Sequence, residues 1–388
     1  MISFRIAVAG ASLAIAVNAN ALPFTGMTVF GDSLSDTGNA YLALSASLPP
    51  VPVITEAPFP LIPSKPYARP APLLPALSNG PIWAEVVGAA LGLPVIPSFA
   101  GGKNFAFAAA DSGPLPLVPP SQSPTLKEQF SLFGGSASVV STDLYAVWGG
   151  GNDIRSALGV YQTVLALGGP NPEAAALTAA TQVIAAGVTN IAAILVALAQ
   201  SGAQHIMSLN VPDVGNIPAL SPAPPISAPV GLAQLATSLS TAFNGGLAIA
   251  IDGIESAFSL DIVEVDVFSL VRSIVGDPSA FGLTNVTAPC NYGFDTCADP
   301  NQFLFVDGLH PTAAGHGIIA SAVLIALPAP GTSGLVFVGM LALILGSRRS
   351  ALATAGRWRS KRSASAKPIR LRSVVGGQSG GRTSISLR

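Results

Sequence analysis

Short apolar runs alternate with longer segments of helical spacing through the middle of this 388-residue chain. The runs predict buried strands, and apolar residues that recur every three or four positions predict helices. The predicted strands cover residues 28–30, 105–108, 143–148, 205–210 and 261–268. The predicted helices cover residues 82–91, 172–200 (one helix or a helix pair), 231–258 and 312–326. Alternation of this kind predicts an α/β fold whose parallel sheet is covered on both faces.

Two segments in the N-terminal part of the chain depart from this pattern. Residues 1–21 carry one charge, Arg5, then an apolar run and the small-residue sequence Ala19-Asn20-Ala21, which is typical of an export signal. The alternative, a buried first helix, would need an amphipathic period that this segment lacks. Residues 49–75 contain 10 prolines, which predicts an extended surface insertion because proline is excluded from helix interiors and inner strands.

The C-terminal region has a different organisation. Pro328-Ala329-Pro330 is followed by an uncharged apolar stretch, residues 333–346, and by Arg348-Arg349. This order resembles the PEP-CTERM sorting signal of exopolysaccharide-producing Gram-negative bacteria, with Ala329 in place of the usual Glu. That resemblance implies export across the inner membrane, contact with sorting machinery or the membrane, and a secreted or cell-surface location. Residues 350–388 are basic and predict a disordered tail. Three alternatives stand for this tail: a cytoplasmic anchor, a disordered extension of the protein, or translated sequence that is not part of the gene.

Charge is divided unequally between these segments. The last 42 residues hold 11 of the 18 basic side chains, whereas residues 22–330 hold six basic against all 19 acidic side chains. A body this acidic argues against nucleic-acid binding, which requires clustered positive charge. With two cysteines, a disulfide scaffold is excluded as well. In an oxidising compartment Cys290 and Cys297 are able to close a small loop, and the alternative is two free thiols.

Candidate chemistry lies after two of the predicted strands and just before the last predicted helix. Ser33 comes directly after the first strand, Asn152 follows Gly149-Gly150-Gly151 after the strand that ends at Trp148, and Asp307 precedes His310 before the last helix. In open α/β sheets, residues just beyond the strand ends line the ligand site. Asp307 is spaced to accept a hydrogen bond from the His310 ring and leave the other ring nitrogen free as a base. Taken singly, a serine there is often a helix cap and Gly-Asn-Asp is ordinary turn chemistry.

Together these residues resemble the conserved blocks of the GDSL lipase/esterase family, also called SGNH hydrolases. The first block is Phe30-Gly31-Asp32-Ser33-Leu34-Ser35-Asp36-Thr37-Gly38-Asn39, the third is Gly150-x-Asn152-Asp153 and the fifth is Asp307-x-x-His310. The resemblance spans roughly residues 25–327 and implies a three-layer α/β/α, flavodoxin-like parallel sheet. It implies Ser33 as nucleophile, His310 as general base and then acid, and Asp307 as its orienting partner.

The resemblance also implies an oxyanion hole, where this sequence departs from the family pattern. The donors would be the Ser33 backbone N–H, the Asn152 side-chain amide and the backbone N–H of Ala109. The family usually has Asn-x-Ala-x-Gly-Gly-Ala in its second block, whereas this chain has Asn104-Phe105-Ala106-Phe107-Ala108-Ala109-Ala110. A methyl group at Ala109 leaves the N–H in place but crowds it if the backbone requires positive φ. Gly101 and Gly102 are the shifted alternative.

The predicted domains are therefore a signal peptide (1–21), a hydrolase domain (22–327) with its insertion (49–75), a sorting segment (328–349) and a basic tail (350–388). The predicted function is an exported serine esterase or lipase that acts on acyl esters through an acyl-enzyme, without metal or cofactor. A polysaccharide deacylase and a non-catalytic surface or matrix binding protein on the same scaffold remain alternatives. His205 and His316 have no acidic neighbour at useful spacing and are interpreted as structural.

Overall fold

The structure is a computed structural model that describes residues 24–47, 69, 72–222, 226–292 and 295–328. The predicted signal peptide, nearly all of the sorting segment, the basic tail and most of the proline-rich insertion lie outside the described residues. Of the insertion, Arg69 is described: its guanidinium donates to the Gly80 and Leu74 carbonyls and pairs with Glu85. These bonds fix the chain where it returns from the insertion to the hydrolase domain.

The described chain alternates helices and short strands. The strands are β1 (Met27–Gly31), β2 (Leu144–Trp148), β3 (His205–Leu209), β4 (Ile262–Val265), β5 (Asn285–Pro289), β6 (Asn291–Tyr292), β7 (Asp295–Thr296) and β8 (Phe303–Phe305). The helices are α1 (Asn39–Ser47), α2 (Trp83–Leu91), α3 (Leu126–Leu132), α4 (Gly151–Leu167), α5 (Pro172–Gln200), α6 (Leu232–Phe258), α7 (Val267–Gly276) and α8 (Ala313–Ala326).

The central sheet is parallel, with its strands in the order β1-β2-β3-β4. The segment around Asn104 extends it on the outer side of β1, where Val29 N–H donates to the Lys103 carbonyl and Phe105 N–H donates to the Val29 carbonyl. Counting that segment, the spatial order in chain sequence is 2-1-3-4-5, which is the flavodoxin-like arrangement. The sheet therefore places the chain segments that follow β1 and β2, with Ser33 and Asn152, at the same edge.

Apolar side chains cover both faces of this sheet. On one face, Phe30, Tyr145 and Ile206 pack with residues of α4, α5 and α6. On the other, Val29, Ala146 and Met207 pack with residues of α2, α7 and α8. Successive residues of one strand point to opposite faces, so strands that are apolar throughout are buried on both sides. The predicted α/β fold with a parallel sheet between two helical layers is confirmed.

Several predicted elements need correction. The strand expected over 261–268 ends at Val265, because Asp266 caps α7 by accepting a hydrogen bond from Ser269 N–H, 3.0 Å away. The stretch 105–108 is not a full strand: the isolated bridge to β1 is at Asn104, and Phe105 and Phe107 each donate a single backbone hydrogen bond to β1. Of the two alternatives predicted for 172–200, the structure has the first: α5 is one continuous helix of 29 residues. It is long and apolar enough to span a membrane, but its buried residues pack in the core with α4 and α6.

Cys290 and Cys297 are joined by a disulfide bond. The bond lies just after β5, in the segment that runs toward β8 and the turn carrying Asp307. Cys297 N–H also donates to the Cys290 carbonyl, 2.7 Å away, so backbone and side chains close the same small loop.

Candidate active site

Ser33 and His310 come together at the carboxyl edge of the sheet. Ser33 lies in the tight turn that follows β1, where the N–H groups of Ser35 and Asp36 both donate to the Asp32 carbonyl at 3.0 Å. The turn brings Ser33 Oγ within 3.0 Å of His310 Nε2. These residues are 277 positions apart in the chain, so the fold brings them together and local sequence does not.

Asp307 orients the His310 ring. Its Oδ2 lies 2.8 Å from His310 Nδ1, and its Oδ1 accepts the backbone N–H groups of Leu309 and His310 at 2.7 and 2.6 Å. An ionised carboxylate only accepts hydrogen bonds, so the ring proton is on Nδ1 and a neutral His310 presents an unprotonated Nε2 to Ser33. Asp307 and His310 are each 1% exposed, which shields this chain of hydrogen bonds from competition with water.

The turn that carries Asp307 and His310 is held between two elements. Val306 N–H donates to the His310 carbonyl, 2.8 Å away, and Thr312 N–H donates to the carbonyl of Leu304 in β8. Thr312 then caps α8 through its hydroxyl, which accepts Gly315 N–H at 3.1 Å. His310 is thus fixed by backbone bonds on both sides and does not depend on its side-chain contacts alone.

Asn152 lies at the start of α4, at a position where Gly-Asn-Asp taken alone indicated an ordinary turn. Gly150, with φ of 104°, precedes the helix, and a Cβ there would meet the Phe243 ring at 2.6 Å. The Asn152 Nδ2 donates to the Ala110 carbonyl at 2.9 Å, and its Oδ1 accepts from the Arg155 guanidinium at 2.9 Å. Asn152 and Ser33 line the same cavity.

Ala109, the residue at the altered position of the second block, has a φ of 62°. This is the left-handed region, which glycine enters freely and residues with a Cβ enter at a cost. The flanking residues hold this conformation, because Ala108 N–H donates to Asp36 Oδ2 at 2.9 Å and the Ala110 carbonyl accepts from Asn152. Within the described residues, neither Ala109 N–H nor Ser33 N–H donates to a protein acceptor.

The two glycines weighed as a shifted alternative lie elsewhere. Gly101 has a φ of 83° and closes the 3-10 turn Ser98–Ala100, where its N–H donates to the Ser98 carbonyl. Gly102 N–H donates to the Pro97 carbonyl. Neither glycine lines the cavity that contains Ser33 and Asn152. Ala109 does not line the cavity either. Its neighbour Ala110 accepts a hydrogen bond from Asn152, which does line it.

Buried side chains that sequence reasoning did not assign support this edge of the sheet. Asp36 accepts the N–H groups of Gly38, Asn39 and Ala40 in addition to that of Ala108. Gln129 forms a pair of hydrogen bonds with Gly31, 2.9 Å to its N–H and 2.8 Å to its carbonyl. Asp36 and its neighbours were visible in the first block as a motif, but nothing in the sequence links Gln129 to Gly31.

Asp153 anchors the other side of the site. It is fully buried and accepts Ser112 N–H at 3.1 Å and the Ser112 hydroxyl. Burial raises the pKa of Asp153 to about 6, despite these hydrogen bonds to its charged form. Asp153 and Asn152 together tie the first turn of α4 to residues 110–112, next to Ala109.

Asp32 is a second buried carboxyl group, directly beside Ser33. Burial raises its pKa to about 6, while the Leu34 N–H and the charges of His310 and Arg155 favour the ionised form. Its Oδ1 accepts Leu34 N–H at 2.9 Å, which stabilises the turn that presents Ser33.

The two other histidines stand apart from this chain of hydrogen bonds. Burial lowers the pKa of His316 to about 3, so its ring is neutral, and neither ring nitrogen has a hydrogen-bond partner in the described part of the chain. His205 packs edge-on against Phe24 at 5.1 Å between ring centroids. Among the described residues, no group of three His, Cys, Asp or Glu side chains is placed to hold a metal ion.

An apolar cavity of about 60 Å³ opens beside Ser33. Ser33, Asn152 and Arg155 lie among its polar lining residues. Most of its apolar lining comes from the segments after β3 and β4, from β8, from the turn after β8 and from α8: Val214, Ile217, Val267, Val271, Ile274, Leu304, Phe305, Leu309 and Ile319. Such a lining favours an apolar group next to the serine hydroxyl.

Known proteins resemble this chain to different extents. An uncharacterized protein from the trpE-trpG intergenic region of Pseudomonas putida is 29% identical over 346 residues, covering 82% of this chain and 52% of that protein. The GDSL esterase/lipase APG of Arabidopsis thaliana is 30% identical over 97 residues, covering 21% of this chain and 28% of that protein. The chain thus spans about half, or less, of the length of these curated relatives.

Two solved structures align with most of the chain at low similarity. Phospholipase A1 from Streptomyces albidoflavus aligns with a TM-score of 0.36 and 13% identity, covering 78% of this chain and 99% of that one. The extracellular lipase of Streptomyces rimosus aligns with a TM-score of 0.38 and 15% identity, covering 78% of this chain and 100% of that one.

A family model also matches most of the chain. The family described as GDSL-like Lipase/Acylhydrolase matches residues 27–323, from the first residue of β1 into α8. That range contains Ser33, Asn152, Asp307 and His310. Because the match covers well over half of its length, the chain belongs to the GDSL-like lipase/acylhydrolase family.

Proposed function

We propose that this protein is a serine ester hydrolase that works through an acyl-enzyme on Ser33. The observation that carries the proposal is the continuous chain of hydrogen bonds from Ser33 Oγ to His310 Nε2 and from His310 Nδ1 to Asp307 Oδ2. A nucleophile within hydrogen-bond reach of a base, which a third group orients, is the arrangement that activates a serine hydroxyl.

In the first half of the reaction, Ser33 Oγ attacks the ester carbonyl carbon and its proton passes to His310 Nε2. The carbonyl oxygen becomes an oxyanion, which accepts hydrogen bonds from Ser33 N–H, Ala109 N–H and the Asn152 amide. When the tetrahedral intermediate collapses, the ester C–O bond breaks and the leaving alcohol takes the proton from His310. Asp307 stabilises the imidazolium between these two transfers.

In the second half, His310 Nε2 accepts a proton from a water molecule that attacks the acyl-Ser33 carbonyl. The second tetrahedral intermediate collapses, the Ser33 Oγ–acyl bond breaks, and His310 returns the proton to Ser33. The product is a carboxylic acid and the enzyme is restored. No metal or cofactor enters either half, because the base and the oxyanion donors are side chains and backbone N–H groups.

The cavity supports acyl esters as the substrate class. Its lining beside Ser33 is mainly aliphatic, which favours burial of a hydrocarbon acyl group at about 0.8 kcal/mol per CH₂. The same triad would serve a deacylase that removes acyl groups from a polysaccharide, since the acyl half of the two substrates is alike.

The test is hydrolysis of p-nitrophenyl acetate, butyrate and octanoate by the full chain, by Ser33→Ala and by Ser131→Ala. The last variant removes the same hydroxyl from an exposed position on α3. We expect Ser33→Ala to lose activity on every ester and Ser131→Ala to keep it. Full activity of Ser33→Ala would refute the proposal. An inactive wild-type chain that also releases no acid from acylated polysaccharide would favour the non-catalytic binding protein.

We also propose that the chain is exported. Residues 1–21 have the charge, apolar run and small residues of an export signal, and the Cys290–Cys297 disulfide suits an oxidising compartment. The resemblance of residues 328–349 to a sorting signal supports a secreted or cell-surface location. Expression in a Gram-negative host followed by N-terminal sequencing should give a mature chain that begins at Leu22 outside the cytoplasm. Intact Met1 and cytoplasmic protein would contradict export.

A further inference from the structure

Arg155 is bonded to the side chain that the proposed mechanism needs as an oxyanion donor. It lies on α4 three residues after Asn152, which places both on one face of the helix. Its NH1 group donates to Asn152 Oδ1 at 2.9 Å, and Arg155 also lines the cavity beside Ser33. Arg155 is one of six basic residues in the acidic region 22–330.

The chemistry of the two contacts fixes which way the Asn152 amide points. A guanidinium has donors and no acceptor, so the atom it contacts must be the amide oxygen. The Ala110 carbonyl has no donor, so the atom that contacts it must be the amide nitrogen. One of the two N–H bonds of Asn152 is therefore used by Ala110, and the second is the one left for a substrate oxyanion.

We propose that Arg155 is a positioning residue for catalysis: it holds the Asn152 amide in the donating orientation and polarises it for the oxyanion. A hydrogen bond from a charged donor to the amide oxygen draws electron density from the nitrogen, which strengthens its N–H groups as donors. The inference rests on the proposed function and extends it to a residue that does not itself touch the reacting atoms.

The charges around Arg155 favour this role over capture of an anionic substrate group. Asp32 lies close enough for the Arg155 charge to favour its ionised form, and the charge of Asp111 also acts on Asp32. The positive charge of Arg155 therefore lies near the buried Asp32 carboxylate, which offsets it. The remainder of the cavity lining supplies Asp213, a third acid, and mainly aliphatic side chains, which do not suit a phosphate or a carboxylate.

The experiment is a double-mutant cycle on the full chain with p-nitrophenyl butyrate. Its variants are Arg155→Met, Asn152→Ala and the two combined, with kcat and KM measured for each. Lys127→Met is the matched control, because it removes one positive charge from an exposed position on α3. Arg155→Lys tests whether charge alone suffices, since an ammonium cannot reproduce the fixed geometry of a guanidinium.

We expect Arg155→Met to lower kcat about tenfold with KM within about twofold, and Arg155→Lys to fall between it and wild type. Asn152→Ala lowers kcat by about a hundred- to a thousandfold. Because Arg155 acts through Asn152, the double variant should match Asn152→Ala within about twofold. Lys127→Met should behave as wild type.

Two results would overturn the inference. One is a wild-type kcat for Arg155→Met; the other is a loss in the double variant equal to the product of the two single losses, which would show that Arg155 acts independently of Asn152. If Arg155→Met does not fold, the same cycle with Arg155→Lys decides between these outcomes. Failure of the proposed function is seen separately, as hydrolysis by Ser33→Ala, whatever the cycle shows.

Discussion

Substitution of Ala109 by glycine tests the backbone conformation at the altered block most directly. At φ of 62° an alanine is strained by about 1–2 kcal/mol relative to the right-handed region. Glycine removes this strain, but the extra freedom of the unfolded chain costs about 0.4–1 kcal/mol. The net expectation for Ala109→Gly is a free energy of unfolding that is unchanged or higher by up to about 1.5 kcal/mol.

Ala108→Gly is the matched control one residue earlier. Ala108 is 5% exposed and is not among the residues with positive φ, so glycine there relieves no strain. Ala108→Gly should lower the free energy of unfolding by about 0.4–1 kcal/mol, because the unfolded chain gains freedom, and by about 0.8 kcal/mol more, because a buried methyl group is lost. The free energy of unfolding of Ala109→Gly should therefore exceed that of Ala108→Gly by about 1–3 kcal/mol.

Urea unfolding at 25 °C, followed by tryptophan fluorescence, measures the difference, because Trp83 and Trp148 are buried reporters. Esterase activity of Ala109→Gly should equal or exceed that of wild type, since the substitution leaves the N–H in place. If Ala109→Gly is destabilised as much as Ala108→Gly, the account of a strained left-handed alanine at this position is wrong.

Three further predictions follow from the contacts at the site. Asn152→Asp replaces an amide donor by a carboxylate, and we expect kcat to fall at least about a hundredfold with a smaller change in KM; near wild-type kcat would contradict the oxyanion role. In wild type the folded-state pKa of Asp153, about 6, lies above the unfolded value of 3.8, so the folded state binds more protons between these pH values. The free energy of unfolding therefore falls by about 3 kcal/mol as pH rises from 4 to 6. Asp153→Asn removes this titration, and we expect the fall to become smaller. Urea titrations at pH 4, 5, 6 and 7 measure this, and an unchanged slope would contradict it. Ile217→Phe narrows the cavity, so the ratio of kcat/KM for p-nitrophenyl octanoate to that for p-nitrophenyl acetate should fall, by up to about fourfold for each CH₂ group excluded from the cavity. An unchanged ratio would show that the acyl chain binds elsewhere.

The strands that carry the site were predictable because they are short, apolar and buried on both faces. Residues 28–30 and 143–148 stand out as such runs, and the structure places β1 and β2 over them with bounds shifted by a residue or two. The long helices α5 and α6 were predictable from their apolar periodicity. In these elements local pattern and tertiary burial favour the same conformation.

Helix α4 was not predictable in the same way. Gly149-Gly150-Gly151 followed by Asn152 indicates a turn, and glycines lower helix propensity. In the structure Gly150 is needed because its backbone has positive φ and its neighbours, Phe243 and Val211, leave no space for a Cβ. Because Phe243 and Val211 are distant in the chain, the need for glycine at position 150 cannot be recognised from the local sequence. The helix begins directly afterwards and presents Asn152 in its first turn.

The candidate site residues were predictable from motifs, whereas the side chains that position them were not. Ser33, Asp307 and His310 follow strands in recognisable blocks, and in the structure both Ser33 and Asp307 are hydrogen-bonded to the His310 ring. Gln129 bonds to Gly31 across 98 residues, and its neighbours in sequence give no sign of that contact. Positioning contacts of this kind depend on the packing of distant segments, which a single sequence does not encode as a pattern.

The proposed mechanism requires a covalent acyl intermediate on Ser33. Rapid mixing of the full chain with p-nitrophenyl butyrate, quenched in acid and followed by mass spectrometry of the peptide that contains Ser33, tests it directly. We expect a butyryl adduct on Ser33 that accumulates when deacylation is the slower half of the reaction, and no adduct in Ser33→Ala. Turnover of the ester with the acyl group on another residue, or persistent turnover by Ser33→Ala, would contradict it.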